Sequence, residues 1–344
     1  MKSLQVRFAK RPTGEPTADT FEIAEAELPA VGDGQILVRI IWLTLDPYMR
    51  GRMDDSRSYA KPQALGEVMQ GGTVGEVVES KNPKFAAGDF VLGMFGWQSH
   101  AVSDGTGVRK LDPAVAPLST WVGVMGMPGL TAYVGLLDVG ELKAGDTVVV
   151  SAASGAVGSV VGQLARIKGA KTVVGVAGPD EKCRYVVDEL GFDACVSHRS
   201  ASLRDDLKAA CPDGIDVYFE NVGGPTLEAA LSLMNPFGRI PVCGMISMYN
   251  TGPVGGAVDR LPALMRRVLT DRLKIQGFIV SDRAAERQKA FIEEVGAYVR
   301  DGRIKYRESV TKGLENAPAA FIGLLRGENF GKQLVQVSED PTRG

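Results

Sequence analysis

The sequence predicts an α/β protein that joins a doubly wound parallel sheet of about six strands to a compact all-β barrel or sandwich. Three observations carry this. A length of 344 residues exceeds one average domain and suggests two. The first 125 or so residues alternate short apolar runs with Pro-, Gly- and Asp-rich breakers, the rhythm of short strands. From about residue 126, apolar runs alternate with segments long enough to hold a helix, the pattern of βαβ units.

The elements follow in order. Strand-like runs occupy 21–28, 36–46, 71–80 and 90–96, separated by breakers such as PAVGDG and AAGD. A buried-type strand, Thr147–Ser151, then runs into a glycine loop and a helix. In that helix Val157, Val160, Val161, Leu164 and Ala165 recur at helical spacing and face a sheet. Further strands are expected at 172–177, 193–197, 215–220, 238–243 and 275–280, and the C-terminal stretch gives one helix and a last strand. The segment Asn250–Leu264 is rich in Gly and Pro and reads as a candidate mobile lid.

Composition narrows the function. Hydrophobic residues at 44% and charged ones at 23% exclude a disordered chain and supply a sizeable core. Thirty-nine basic against 41 acidic residues, without like-charge blocks, lack the one-sided footprint of a nucleic-acid binder. No apolar run reaches membrane-spanning length, and the first residues lack the apolar core of a secretory signal. Cys183, Cys195, Cys211 and Cys243 are irregularly spaced and read as reduced, buried thiols of a cytoplasmic protein.

The sharpest local feature is the run from Ala152 to Gly158, between a buried strand and an amphipathic helix. Gly155 allows a tight turn, and Gly158 lets the helix pack close to the strand. The helix N-terminus then offers amides and a positive dipole end to a pyrophosphate. An ordinary βα turn without a ligand is the competing reading. At the end of the next strand an NAD site would carry a carboxylate for the ribose 2′-OH. Here stand Gly178 and Pro179, with Lys182 close behind, which favours the 2′-phosphate of NADP(H). Asp180 and Glu181 oppose that reading if they point inward.

Beyond these features, LDPYMRGRM (45–53), GMPGLTAY (126–133), SAASGAVGSVVGQLA (151–165), GPDEKC (178–183), ENVGG (220–224), VCGMISMYN (242–250), GFIV (277–280) and NFGK (329–332) span the chain. Together they resemble the zinc-independent branch of the medium-chain dehydrogenase/reductase superfamily. That branch comprises prostaglandin reductases, leukotriene 12-hydroxydehydrogenases, alkenal double-bond reductases and bacterial curcumin reductases, the last group most similar. The resemblance implies a GroES-like substrate domain over 1–125 plus 311–344 and a Rossmann NADP-binding domain over 126–310, with homodimers usual.

Residue by residue, the resemblance implies that Gly155, Ala156, Val157 and Gly158 hold the pyrophosphate and that Lys182 meets the 2′-phosphate. Several relatives carry a tyrosine where His198 stands, so His198 or Arg199 takes over that contact. Asn221, Cys243, Gly244, Met245, Ile246, Ser247, Phe278, Ile279, Val280 and Asn329 match cofactor-contacting segments. Tyr48 matches an aromatic wall of the substrate pocket, against packing at the barrel rim. Met127 and Thr131 sit where one domain hands over to the next, as cleft or core residues. Zinc-dependent relatives carry His and Glu where this chain has Gly71 and Gly72. Before Cys183 there is no cysteine, and His100 is the one histidine, so no metal site is expected.

The implied reaction is NADPH-dependent reduction of the carbon–carbon double bond of an α,β-unsaturated ketone or aldehyde. Stabilising the developing enolate is a task for a hydroxyl donor. Tyr249, just past a strand's carboxyl end, matches the tyrosine assigned to the substrate carbonyl in relatives. It acts alone or with the cofactor ribose 2′-OH, against a plain surface-loop tyrosine. Quinone reduction on the same scaffold and a non-catalytic NADPH-binding protein are the alternatives.

Overall fold

The computed structural model describes residues 1–251 and 260–343. The candidate lid at Asn250–Leu264 falls largely on 252–259, outside the described residues. In chain order the strands are β1 (Lys2–Phe8), β2 (Phe21–Glu27), β3 (Ile36–Thr44), β4 (Thr73–Ser80), β5 (Phe90–Gly93), β6 (His100–Ser103), β7 (Arg109–Leu111), β8 (Thr147–Ser151), β9 (Thr172–Ala177), β10 (Ala194–Ser197), β11 (Ile215–Phe219), β12 (Met234–Val242), β13 (Lys274–Gly277), β14 (Glu308–Lys312) and β15 (Lys332–Gln336). The α-helices are α1 (Tyr48–Arg52), α2 (Met127–Val134), α3 (Gly158–Ile167), α4 (Asp180–Asp188), α5 (Leu203–Ala210), α6 (Gly224–Leu231), α7 (Leu261–Asp271), α8 (Ser281–Arg300) and α9 (Ala317–Leu325).

The chain divides into two compact units, Met1–Gly126 with Glu308–Gly344, and Met127–Arg307. The second unit holds a six-stranded sheet in the order β10-β9-β8-β11-β12-β13, parallel throughout. β8 is TVVVS, buried at every position, as a central parallel strand covered on both faces requires. Helices α4 to α7 fall between successive strands from β9 to β13. Val160, Val161, Leu164 and Ala165 of α3 are buried, whereas Val157 precedes the helix as its N-cap and is only partly covered. The expected strand at 275–280 ends at Gly277; Phe278 makes one long amide contact to the Val242 carbonyl, 3.4 Å, and Val280 already caps α8. Of the thiols expected to be buried, Cys211 is, but Cys183, Cys195 and Cys243 are only partly covered.

The first unit is built on the sheet β14-β15-β3-β4-β5-β7, with β6 also paired to β3 and a separate antiparallel pair β1-β2. It is not purely strands, since α1 follows β3 and α9 lies between β14 and β15. Its core joins segments remote in sequence. The Trp97 ring stacks on Phe21 and meets Phe321 of α9 edge-on, each at 5.7 Å between centroids. β15 inserts between β14 and β3, pairing Leu334 with Thr44 and Val335 with Leu43.

At the start of β15 lies a buried ion pair. Lys332 Nζ donates to Asp46 Oδ1 and to the Leu45 carbonyl, each at 2.7 Å, with both side chains 6% exposed. Thr44 Oγ1 donates to the other Asp46 oxygen at 2.8 Å. The Asp46 carbonyl accepts the Met49 amide, so the pair fixes the turn that begins α1 and carries Tyr48. Removing one partner leaves a buried charge without compensation. Lys332→Met is therefore expected to lower unfolding free energy by about 3–5 kcal/mol. Urea unfolding checks this, and an unchanged midpoint would show the pair to be dispensable.

Candidate functional site

The carboxyl ends of β8, β11 and β12 converge on one acidic residue. Glu220, directly after β11, is fully buried. Its Oε1 accepts from the Val222 amide at 2.6 Å, the Gly223 amide at 3.0 Å and Ser151 Oγ at 3.0 Å, and its Oε2 accepts from Tyr218 Oη at 3.2 Å. Its carbonyl accepts the amides of Cys243 and Gly244 at 2.9 and 3.2 Å. Sequence reasoning named Glu220 only within ENVGG and gave it no role; its signal was an acid closing the strand run IDVYFE. Burial, then the Glu220 charge, drives the Tyr218 phenol well above its usual range, so it remains a donor. Asn221 is held beside this hub, its amide donating to Ser151 Oγ at 2.7 Å and its Nδ2 to the Ser151 carbonyl at 2.8 Å.

The glycine loop follows β8. Ala152 takes a left-handed φ of 51°, and its carbonyl accepts the Gly155 amide at 2.9 Å. A Cβ on Gly158 would stand 2.4 Å from that carbonyl oxygen, so only glycine opens α3 this close to the turn. The backbone of Gly155, Ala156, Val157 and Gly158 thus forms a bare cradle at the N-terminus of a ten-residue helix, where an anion is favoured. Further along α3, Gly162 admits the Phe192 ring, which a Cβ there would meet at 1.8 Å.

Across the sheet edge, Gly178 follows β9 and His198 follows β10. A Cβ on Gly178 would come within 2.9 Å of the His198 ring, and the His198 amide donates to the Ala177 carbonyl at 2.8 Å. Lys182 lies in the first turn of α4. Its pKa is lowered by burial and then by Arg199, against Glu181; that of His198 is lowered by burial and then by Arg199 and Lys182. The Arg199 charge disfavours the charged forms of both Lys182 and His198, the electrostatic signature of a place suited to an anion.

The segment after β12 closes the same end of the sheet. The Ile246 amide donates to the Asn221 carbonyl at 3.2 Å, and the Ser247 amide and Oγ both donate to the Val222 carbonyl. Tyr249 ends this turn and folds back, its Oη accepting the Met245 amide at 3.3 Å and standing 3.0 Å from where a Gly244 Cβ would lie. Burial, then the Glu220 charge, pushes the Cys243 thiol up to about 12, so it stays protonated at neutral pH. The Phe278 ring meets Phe219 edge-on at 6.3 Å, over Gly135, and Ile279 and Val280 lead into α8.

The remaining candidates are placed differently. Met127 opens α2 and is 39% exposed, while Thr131 is buried and donates Oγ1 to the Met127 carbonyl at 2.8 Å, which engages its hydroxyl within the helix. Tyr48 and Asn329 belong to the first unit. Burial, then Asp46, raises the Tyr48 phenol, opposed by Arg52, whose guanidinium lies over both the Tyr48 and Tyr59 rings. Asn329 Nδ2 donates to the Gly331 carbonyl at 2.7 Å, shaping the turn before β15. Among the described residues, no group of three or more His, Cys, Asp or Glu is arranged to hold a metal ion.

A parallel sheet with a glycine cradle and convergent strand ends defines a dinucleotide-fold oxidoreductase scaffold, and comparison with known proteins agrees. A family described as "N-terminal domain of oxidoreductase" matches residues 4–111, and one described as "Zinc-binding dehydrogenase" matches 156–295. The chain is 49% identical over 333 residues to the NADPH-dependent curcumin reductase of Escherichia coli, covering 97% of this chain and 96% of that one. It is 45% identical over 328 residues to prostaglandin reductase 1 of Rattus norvegicus, covering 94% and 95%. It superposes on the structure of CurA from Vibrio vulnificus in complex with NADPH with a TM-score of 0.93 at 47% identity, covering 98% and 100%. The chain belongs to the zinc-independent medium-chain dehydrogenase/reductases, in the branch of the prostaglandin and curcumin reductases.

Proposed function

We propose that the protein is an NADPH-dependent reductase of the carbon–carbon double bond in α,β-unsaturated ketones and aldehydes. The observation that carries this is the glycine cradle and the Lys182–His198–Arg199 cluster at the sheet end that also carries the Tyr249 turn. Bound NADPH supplies a hydride to the substrate's β-carbon. Gly155–Gly158 hold the pyrophosphate at the start of α3, and Lys182 with His198 or Arg199 holds the 2′-phosphate. Asn221, Cys243 to Ser247 and Phe278 to Val280 line the nicotinamide end. A neutral Cys243 excludes water there without acting as a nucleophile. The Tyr249 hydroxyl, whose oxygen accepts the Met245 amide, donates to the substrate oxygen as enolate charge develops. Met127 offers surface to the substrate. The cytoplasm, where NADPH is kept reduced, is the expected location.

The test mixes protein and NADPH with an enone, a quinone or a saturated aldehyde and follows the nicotinamide absorbance. Consumption with the enone is expected. Turnover of the quinone alone would overturn the reading, and binding without turnover would make the chain a carrier. Tyr249→Phe should lower kcat with the enone about 100-fold, the usual cost of one oxyanion donor; an unchanged rate removes Tyr249 from that role.

The cation cluster makes a separate prediction. Lys182→Ala should weaken NADPH about tenfold or more, since a charged hydrogen bond contributes roughly 1.5–3 kcal/mol, and leave NADH nearly unchanged. With its pKa below the ordinary value, His198 is largely neutral at pH 7 in the free protein. A 2′-phosphate beside it raises that pKa, so binding draws a proton onto the ring. Calorimetry in buffers of different ionisation enthalpy should register this uptake, and His198→Gln should abolish it. Equal proton uptake with NADH would exclude the 2′-phosphate as the cause.

A homodimer is part of the same reading. Leu261, Met265 and Leu269 of α7 follow one another at helical spacing and are 60%, 54% and 77% exposed. β13 is the terminal strand of the six-stranded sheet, with one edge open to further pairing. Light scattering should give a dimer, and Met265→Asp with Leu269→Asp should give a monomer. A dimer indifferent to both changes would place the interface elsewhere.

A further inference from the structure

Two cysteines with no part in the cofactor reading meet at the edge of the parallel sheet. Cys183 lies in the first turn of α4 and Cys195 in β10, with Sγ atoms 3.0 Å apart, about 1 Å beyond a disulfide bond. Both are partly exposed. Cys195 faces Gly175 across the β10–β9 ladder, and a Cβ on Gly175 would stand 3.3 Å from its sulfur, so a bare backbone makes room for the pair.

The two thiols are unequal. Cys195 donates its S–H to Cys183 Sγ. That bond lowers the Cys183 pKa, against burial and Asp180, while the same contact and burial raise Cys195. The α4 N-terminus acts on Cys183 in the same direction as the hydrogen bond. One accessible sulfur is thus prepared to attack, and a second, in contact with it, to resolve.

We propose that Cys183 and Cys195 form a reversible dithiol–disulfide pair that is closed by hydroperoxides and weakens the adjoining anion-binding edge. The Cys183 thiolate attacks a peroxide oxygen; the O–O bond breaks, an alcohol or water leaves with the thiol proton, and Cys183 becomes a sulfenic acid. Cys195 sulfur then attacks Cys183 Sγ; the S–O bond breaks, water leaves with the second thiol proton, and the S–S bond forms. Two electrons pass from the sulfurs to the peroxide, and small thiols reverse the reaction by exchange. Closing the gap draws the first turn of α4 toward β10. Lys182 directly precedes Cys183, and His198 stands one residue beyond the end of β10, so the disulfide moves two members of the cluster. This second step rests on the proposed cofactor site.

The whole protein is treated with hydrogen peroxide, its remaining thiols are alkylated, and peptides are read by mass spectrometry. A linked pair containing Cys183 and Cys195, lighter by two hydrogen atoms and released by dithiothreitol, is expected, with Cys211 and Cys243 still alkylated. Cys195→Ser should instead accumulate a dimedone-trapped sulfenic acid on Cys183. In NADPH titrations the oxidised protein should bind about tenfold more weakly than the reduced one. The double variant Cys183→Ser, Cys195→Ser should bind like the reduced protein and ignore peroxide. Failure to link the two cysteines overturns the pair; linkage with unchanged NADPH affinity overturns its coupling to the site. A reduced protein that binds no NADPH would defeat the cofactor reading while leaving the mass result intact.

Discussion

The arrangement of the second unit depends on one buried carboxylate. A fully desolvated Glu220 costs several kcal/mol, so it persists only while its donors hold it. Those donors come from the ends of β8 and β11 and from the turn after β11, while the backbone of Glu220 receives the turn after β12. Electrostatic necessity in the interior thereby fixes the spacing of three strand ends that carry no catalytic group themselves. Asn221, Cys243 and the Tyr249 turn inherit their positions from that spacing. In the proposed enzyme the substrate-facing hydroxyl is placed by strand geometry, which is stiffer than a loop on its own.

The first unit solves the same problem with a pair of charges. Lys332 and Asp46 are brought together by the antiparallel register of β15 on β3, and their contact sets the turn from which α1 and Tyr48 start. Each unit therefore buries a charged group at the point where regular structure gives way to a turn that carries a candidate site residue. Such groups contribute less to net stability than apolar replacements of good fit could, so definition of the turn is the better account of their presence.

Much of this was legible in the sequence wherever the signal is local. The run TVVVS, the glycines of 155–158 and the face of α3 are read from periodicity and turn chemistry within about twenty residues. What escaped depends on pairing between distant segments. Glu220 reads as a strand-end acid until β8 and β12 are laid beside it. Phe192 gives no hint that its ring fills the space above Gly162, and Cys183 and Cys195 are brought into contact only by α4 folding back over β10. The strands β1, β6, β7 and β14 were missed for the related reason that their partners, more than their own composition, make them strands. The end of β13 was misread because apolar Phe278–Val280 continues the pattern after the ladder has stopped.

The cation cluster shows why cofactor choice needed both levels. Sequence supplies a glycine where a carboxylate would stand and Lys182 close behind it, which together favour NADP(H) over NAD. The fold adds the His198 ring against Gly178, and burial and then Arg199 lower the pKa of both His198 and Lys182. In the proposed site, the proximity of Arg199 to Lys182 is unfavourable on its own, and a 2′-phosphate between them offsets it. A ribose hydroxyl carries no charge to do so. Discrimination between the two cofactors in that reading therefore resides in the charge environment of the cluster as well as in direct contacts, and the proposed covalent change at the sulfurs beside it acts on that same balance.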